Sequence, residues 1–225
     1  MNENTRAFGG TIRFKELMNE INENLVELSN LVVSMIQNGK KALVEDDEEL
    51  LPKLEKELAR VHEISYSLED SILNTIALHQ PFARDLRYIL STLKISNDIH
   101  RSAHDAVHIA RSSSFIDMKF HSKMIKKIGN LAAKASKMFV NSVTAFSNRK
   151  APEVEIWKKL DDEVDNLHTE IIDEVVELMK VDSTWNRAGV SLILATRYIE
   201  RIADHACNIV EESIYVVTSK RVKIE

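Results

Sequence analysis

The chain has 225 residues, of which 44% are hydrophobic and 29% charged, so it can bury a sizeable core and is not a disordered chain. The net charge of -5 argues against a nucleic-acid partner, and 5 glycines and 3 prolines leave little material for hairpins or glycine-rich phosphate loops. A single cysteine, Cys207, rules out an intrachain disulfide, and we expect a soluble cytoplasmic protein without a membrane span or signal peptide.

Helical periodicity in almost every window of the sequence predicts six long helices. The first begins with apolar residues at helical spacing from Leu17 and weakens at the NGKK stretch near its end. Pro81 suits the first position of the third helix, because its missing N–H would be unpaired there. The last five helices are expected at about 48–78, 81–111, 117–147, 152–179 and 182–219, with ends uncertain by a few residues.

Two stretches of the sequence recur in the same order. KLEKELARVH at 53–62 aligns with KLDDEVDNLH at 159–168, and KISNDIHRSAHDAVHIA at 94–110 aligns with LATRYIERIADHACNIV at 194–210. We interpret this recurrence as a duplicated three-helix unit.

The duplication predicts a domain organisation. We expect a flexible N-terminus over 1–13, a first repeat over 14–112 and a second repeat over 116–219. Because each three-helix unit is too small to cover its apolar surface, the two should pack side by side. The predicted fold class is all-α, with six long helices forming two tandem three-helix bundles.

Acidic residues of the second repeat follow the edge of the apolar stripe rather than the opposite face. The fifth helix carries Asp161 and Asp165, and the sixth carries Glu200 and Asp204, each pair at i, i+4. At about 100° per residue, each pair lies on one shoulder of its helix. Facing rows of carboxylates repel unless a cation neutralises them, so these four residues are predicted metal ligands. The alternative is solvated surface charge on amphipathic helices.

The corresponding positions of the first repeat are different. There the aligned residues are Glu55, Ala59, His100 and His104. Two histidines at i, i+4 are a usable ligand pair for zinc, nickel or iron, and Glu55 could complete a set of three. The alternative is that these are polar residues in a half whose site has been lost. For His62, which aligns with His168, we expect a structural, hydrogen-bonded role.

Three motifs of this sequence resemble the PhoU family of phosphate-signalling proteins, and the resemblance extends over essentially the whole chain. The motifs are ERIADHACNIVE at 200–211, DDEVD at 161–165 and QPFARDLR at 80–87. Members of that family carry an acidic E(D)xxxD motif in each repeat. Carried onto this chain, it corresponds to Asp161 with Asp165 and to Glu200 with Asp204 in the second repeat, whereas the first repeat has His100 and His104 instead.

The resemblance implies a cytoplasmic, non-catalytic regulator of phosphate uptake and phosphate signalling. Such a protein is an adaptor between the ATPase of an ABC-type phosphate importer and a membrane sensor kinase, and it lowers uptake when phosphate is plentiful. The resemblance also implies a bound divalent or trivalent metal ion (iron, zinc, manganese or magnesium) and a homodimer, and it allows peripheral membrane association through partners.

Two other functions remain open at this stage. One is an accessory protein of an ion-coupled phosphate permease, from a distantly related family of the same fold. The other is a di-iron carboxylate oxidase, which needs a Glu-x-x-His pair on each of two helices, whereas only Asp165-x-x-His168 comes near that pattern. Because the sequence also contains no P-loop, G-x-S-x-G or H-E-x-x-H, we do not expect an enzyme.

Overall fold

The computed structural model describes residues 11–47, 49–113, 116 and 122–224. Within these ranges the chain forms helices and contains no strand, which confirms the predicted all-α fold. The six helices are α1 (Ile12–Glu45), α2 (Leu50–His79), α3 (Ala83–Ser112), α4 (Ser122–Ser147), α5 (Val154–Val181) and α6 (Trp185–Thr218). Most of the N-terminus predicted to be flexible, residues 1–10, lies outside the described residues, and residues 12 and 13 already belong to α1.

The turn between α2 and α3 differs from the prediction. Gln80 adopts a left-handed conformation, with φ of 44°, and its N–H still bonds to the carbonyl of Ile76. This reversal ends α2, so that Pro81 lies in the turn and Phe82 becomes the N-cap of α3. The predicted place of Pro81 at the first helical position is therefore wrong by two residues.

The six helices form a central layer with one helix on either side. The α1, α3, α4 and α6 helices make the layer, in which α3 packs on α6 and α1 packs on α4 across the boundary between repeats. The outer helix α2 packs on α1 and α3, and α5 packs on α4 and α6. All six contribute side chains to one hydrophobic core, including Met18, Leu54, Ile99, Phe139, Val164 and Ile202.

Helix α1 continues without a break through the NGKK stretch. The glycine in this stretch, Gly39, is required by packing. A Cβ atom at Gly39 would lie 2.5 Å from the carbonyl oxygen of Ala106 on α3. Glycine weakens a helix by about 1 kcal/mol relative to alanine, but only glycine allows the two backbones to come this close. Gly39, which weakened the prediction of this helix, thus allows the close contact between α1 and α3.

Polar side chains join the repeats where α3 meets α6. Glu212 on α6 is buried, and its carboxylate accepts hydrogen bonds from Ser91 at 2.6 Å and from Lys94 at 2.9 Å, both on α3. Nearby, Nδ1 of His205 lies 2.9 Å from Oδ1 of Asp98. The interface between the repeats is therefore held by charge and hydrogen bonds as well as by apolar contact.

No helix among the described residues combines the length and the apolar character that crossing a bilayer requires.

Candidate metal centres

Two groups of side chains in the described part of the chain bring three potential metal ligands together. One consists of Asp165, Glu200 and Asp204, which we call the acidic cluster, and the other of His62, His100 and His104, which we call the histidine cluster. In each group the ligand atoms lie within 4.8 Å of one another. Both clusters lie between the second and third helices of their repeat, so the duplication places them at corresponding positions.

The acidic cluster forms where α5 meets α6. Glu200 and Asp204 are one turn apart on α6 and therefore share a face, while Asp165 comes from α5. Glu200 is only 8% exposed, whereas Asp165 is exposed and Asp204 half-buried. The cluster thus opens to solvent on one side and is bounded by a buried carboxylate on the other.

Glu200 is the electrostatically strained member of the acidic cluster. Burial raises the pKa of its carboxyl; Arg197 opposes this shift, and the negative charges of Asp165 and Asp161 reinforce it. One oxygen of Glu200 accepts a hydrogen bond from Arg197, but the other, Oε2, is buried and has no hydrogen-bond partner. A buried acceptor without a donor fits a cation, and three carboxylates are the donors that magnesium, manganese and iron prefer.

The fourth predicted ligand of this repeat, Asp161, lies one turn before Asp165 on α5. It is buried, and it accepts a hydrogen bond from the thiol of Cys207 at 3.3 Å. Its oxygens do not belong to the group of three that lie within 4.8 Å of one another. A ligand role for Asp161 remains a prediction.

The histidine cluster forms where α2 meets α3. His100 and His104 are one turn apart on α3, and His62 faces them from α2. The Nε2 atoms of His62 and His104 are 3.2 Å apart, and the three ring centroids are separated by 4.8 to 5.3 Å. All three side chains are half-buried.

Two imidazoles of this cluster, those of His100 and His104 on α3, have lowered pKa values. Burial lowers the pKa of His100 to about 4, and the neighbouring His104 and His62 add to the effect. Burial and the charge of His62 likewise lower the pKa of His104. Neutral imidazole is the form that binds metals, so burial favours His100 and His104 as ligands at neutral pH.

The third residue of this cluster is not the one that we predicted from the sequence. Glu55 is exposed, and its carboxylate accepts a hydrogen bond from Arg111 at 2.6 Å. His62, for which a structural role was expected, lies beside His100 and His104 instead. The alignment of His62 with His168 was the available signal, because it showed that a histidine recurs at this position of the second helix in both repeats. A ligand role for Glu55 remains a prediction.

Comparison with known proteins supports the same organisation of two repeats. The family model described as the PhoU domain matches residues 25–113 and again residues 128–213. A Clostridium acetobutylicum protein is 28% identical over 94% of this chain and 97% of its own, and a Deinococcus radiodurans protein is 30% identical over 84% and 89%. Both are named phosphate-specific transport system accessory protein PhoU homolog.

Solved structures share the fold over more than nine-tenths of this chain. The crystal structure of PhoU from Pseudomonas aeruginosa superposes with a TM-score of 0.85 at 24% identity, covering 92% of this chain and all of the other. The phosphate transport system regulatory protein PhoU from Streptococcus pneumoniae also gives 0.85, at 20% identity and 93% coverage of this chain. At such identities these structures establish the fold alone. Since one family model matches both halves of the sequence, the chain belongs to the PhoU family.

Proposed function

We propose that this protein is a cytoplasmic regulator of phosphate uptake and phosphate signalling. It acts as a non-catalytic adaptor between the ATPase of an ABC-type phosphate importer and a membrane sensor kinase. The observation that carries this proposal is the match of both repeats to the PhoU domain, because curated relatives matched over nearly their full length are named accessory proteins of a phosphate-specific transport system. The role belongs to those relatives, and we extend it to this chain.

The burial of the cysteine supports a non-catalytic role for this protein. Cys207, a potential nucleophile, is fully buried and donates its hydrogen bond to Asp161. We propose that the chain forms a homodimer and reaches the membrane only through its partners.

Metal binding at the acidic cluster is part of this proposal. Asp165, Glu200 and Asp204 would hold a hard cation, which would neutralise the repulsion between them and link α5 to α6. When bound, such an ion supplies positive charge at the surface, where a partner's acidic or phosphate groups could also coordinate it. The residues of the chain contribute by orienting the oxygens and by keeping one side of the site dry.

The partners can be identified by affinity capture from native cells grown in high phosphate. The tag should precede residue 1, because Ile224 near the other end is buried and its N–H bonds to Glu211. We expect the ATPase of an ABC-type phosphate importer and a sensor kinase among the captured proteins. In addition, deletion of the gene should raise phosphate uptake in phosphate-rich medium.

The same capture distinguishes the alternative function. Recovery of an ion-coupled phosphate permease, with no importer ATPase and unchanged ABC-dependent uptake in the deletion strain, would overturn the adaptor proposal in favour of a permease accessory protein.

A further inference from the structure

The histidine cluster differs from the acidic cluster in every donor atom, although the two occupy corresponding places in the repeats. His100 and His104 align with Glu200 and Asp204, 100 residues later in the chain, and His62 faces them. We propose that His62, His100 and His104 form a nitrogen-donor site for a borderline divalent transition metal, with zinc as its representative. This site is independent of the regulatory role proposed above.

The spacing of the imidazoles fits one small metal ion. With zinc–nitrogen bonds of 2.0 to 2.1 Å, two nitrogens on a tetrahedral ion are about 3.3 Å apart. The Nε2 atoms of His62 and His104 are already 3.2 Å apart, and the ligand atom of His100 lies within 4.8 Å of both. We expect the His100 nitrogen to move towards the other two when an ion binds, which would fill three of the four positions of a tetrahedron.

Hydrogen bonding within the protein does not account for the whole cluster. The contact between His62 and His104 can be one N–H···N bond, but Nε2 of His100 is buried and has no hydrogen-bond partner. Buried polar atoms in folded proteins are nearly always satisfied. A metal ion would be coordinated by this nitrogen together with the Nε2 atoms of His62 and His104.

The charges around the cluster are compatible with a cation. Arg111, the arginine that lowers the pKa of His104, is paired with Glu55. The neighbouring Arg101 is exposed, so solvent screens its charge.

The donor atoms also determine which metals are expected. Three imidazoles without a carboxylate suit zinc, copper, nickel or ferrous iron and provide little for magnesium or manganese, which prefer oxygen. Three protein ligands leave a fourth position for water or an anion. The two repeats would then hold ions of different classes.

Zinc binding tests this proposal directly. The full chain should be purified without a polyhistidine tag, stripped with a chelator, and titrated with Zn²⁺, with Co²⁺ as a spectroscopic probe. The Asp165→Asn variant, measured in parallel, identifies any zinc held by the acidic cluster. We expect one equivalent of zinc that Asp165→Asn retains, and a visible Co²⁺ spectrum of tetrahedral intensity.

Two variants on different helices report on the ligands. His104→Gln and His62→Gln should each weaken zinc binding about tenfold or more. Because His104 lies on α3 and His62 on α2, one variant still tests the proposal if the other fails to fold. The matched control is His108→Gln, because His108 lies one turn further on α3, is also half-buried, and stacks on Tyr198 with centroids 4.7 Å apart. Far-UV circular dichroism checks the fold of each variant.

Two results would overturn the inference. One is a folded wild-type chain that binds neither Zn²⁺ nor Co²⁺ above background once the acidic cluster is removed by Asp165→Asn. The other is equal zinc affinity in folded His62→Gln, His104→Gln and His108→Gln variants.

Discussion

At the scale of single residues, Glu200 combines a cost in folding with a capacity to bind. Its side chain is buried beside Asp165 and Asp161, which disfavours its negative charge, and its Oε2 atom has no hydrogen-bond donor. An isolated buried carboxylate destabilises a fold, whereas a carboxylate that holds a cation does not. Removing this charge should therefore stabilise the metal-free protein and destabilise the metal-bound protein.

The substitution Glu200→Gln tests this difference. In the presence of a chelator we expect the variant to be more stable by about 1 kcal/mol, or roughly 2 to 4 °C in the unfolding midpoint, because one of the facing negative charges is gone. In the presence of Mn²⁺ we expect the wild type to gain stability and the variant to gain little. Differential scanning fluorimetry with and without Mn²⁺ provides both comparisons.

The exposed Asp162→Asn on α5 is the control for Glu200→Gln, and it should show the full stabilisation by Mn²⁺. An equal shift by Mn²⁺ in Glu200→Gln and wild type would contradict metal binding at the acidic cluster.

At the scale of helices, the contact between α1 and α3 depends on the absence of one side chain. The Gly39 backbone approaches the Ala106 carbonyl so closely that even a methyl group cannot be accommodated without moving a helix. Both helices are embedded in the core and cannot shift freely.

We therefore expect Gly39→Ala to destabilise the protein, although alanine is the better helix former. The expected loss is about 1 to 3 kcal/mol, as for other overpacked cores, and urea unfolding measures it. Gly129→Ala on α4 is the matched control, because its new methyl group would meet the side chain of Val44 at 3.2 Å rather than a backbone atom. Equal stability of the two variants would show that α1 and α3 are less closely packed than described.

Periodicity within single helices accounts for what the sequence could predict. The six helices and the pairs Glu200–Asp204 and His100–His104 follow from spacing along one helix, and the duplication follows from the recurrence of two stretches of sequence. The third residue of each cluster, which comes from the neighbouring helix, cannot be predicted in this way, because its position depends on how that helix is rotated about its own axis. For this reason the sequence predicted Glu55 where the structure places His62 in the histidine cluster. The turn at Pro81 could not be predicted from periodicity either, because it depends on the left-handed conformation of Gln80.

At the scale of the whole molecule, the carboxylate of Glu212 joins the two repeats. It is buried, yet hydrogen bonds from Ser91, Lys94 and Arg221 outweigh the effect of burial and lower its pKa below the ordinary value of about 4.5. A depressed carboxyl pKa contributes stability that is present above the pKa of the unfolded chain and is lost as the pH falls through the folded value.

We expect Glu212→Gln to reduce the free energy of unfolding by about 1 to 3 kcal/mol at pH 7, since it weakens charge-assisted hydrogen bonds across the interface. The difference from wild type should be smaller at pH 4 and continue to shrink below it. Urea unfolding at both pH values measures this difference. A difference that stays constant from pH 7 to pH 4 would show that the charge of Glu212 does not stabilise the interface.

The duplication within one polypeptide has a consequence for how the protein can evolve. In an assembly of identical single-repeat subunits, one codon change would alter every copy of a cluster at once. Here the codons for residues 100 and 104 mutate independently of those for 200 and 204, so one half can carry imidazoles while the other carries carboxylates. Every molecule then contains the two chemistries in a fixed one-to-one ratio, which no assembly of identical single-repeat subunits can achieve.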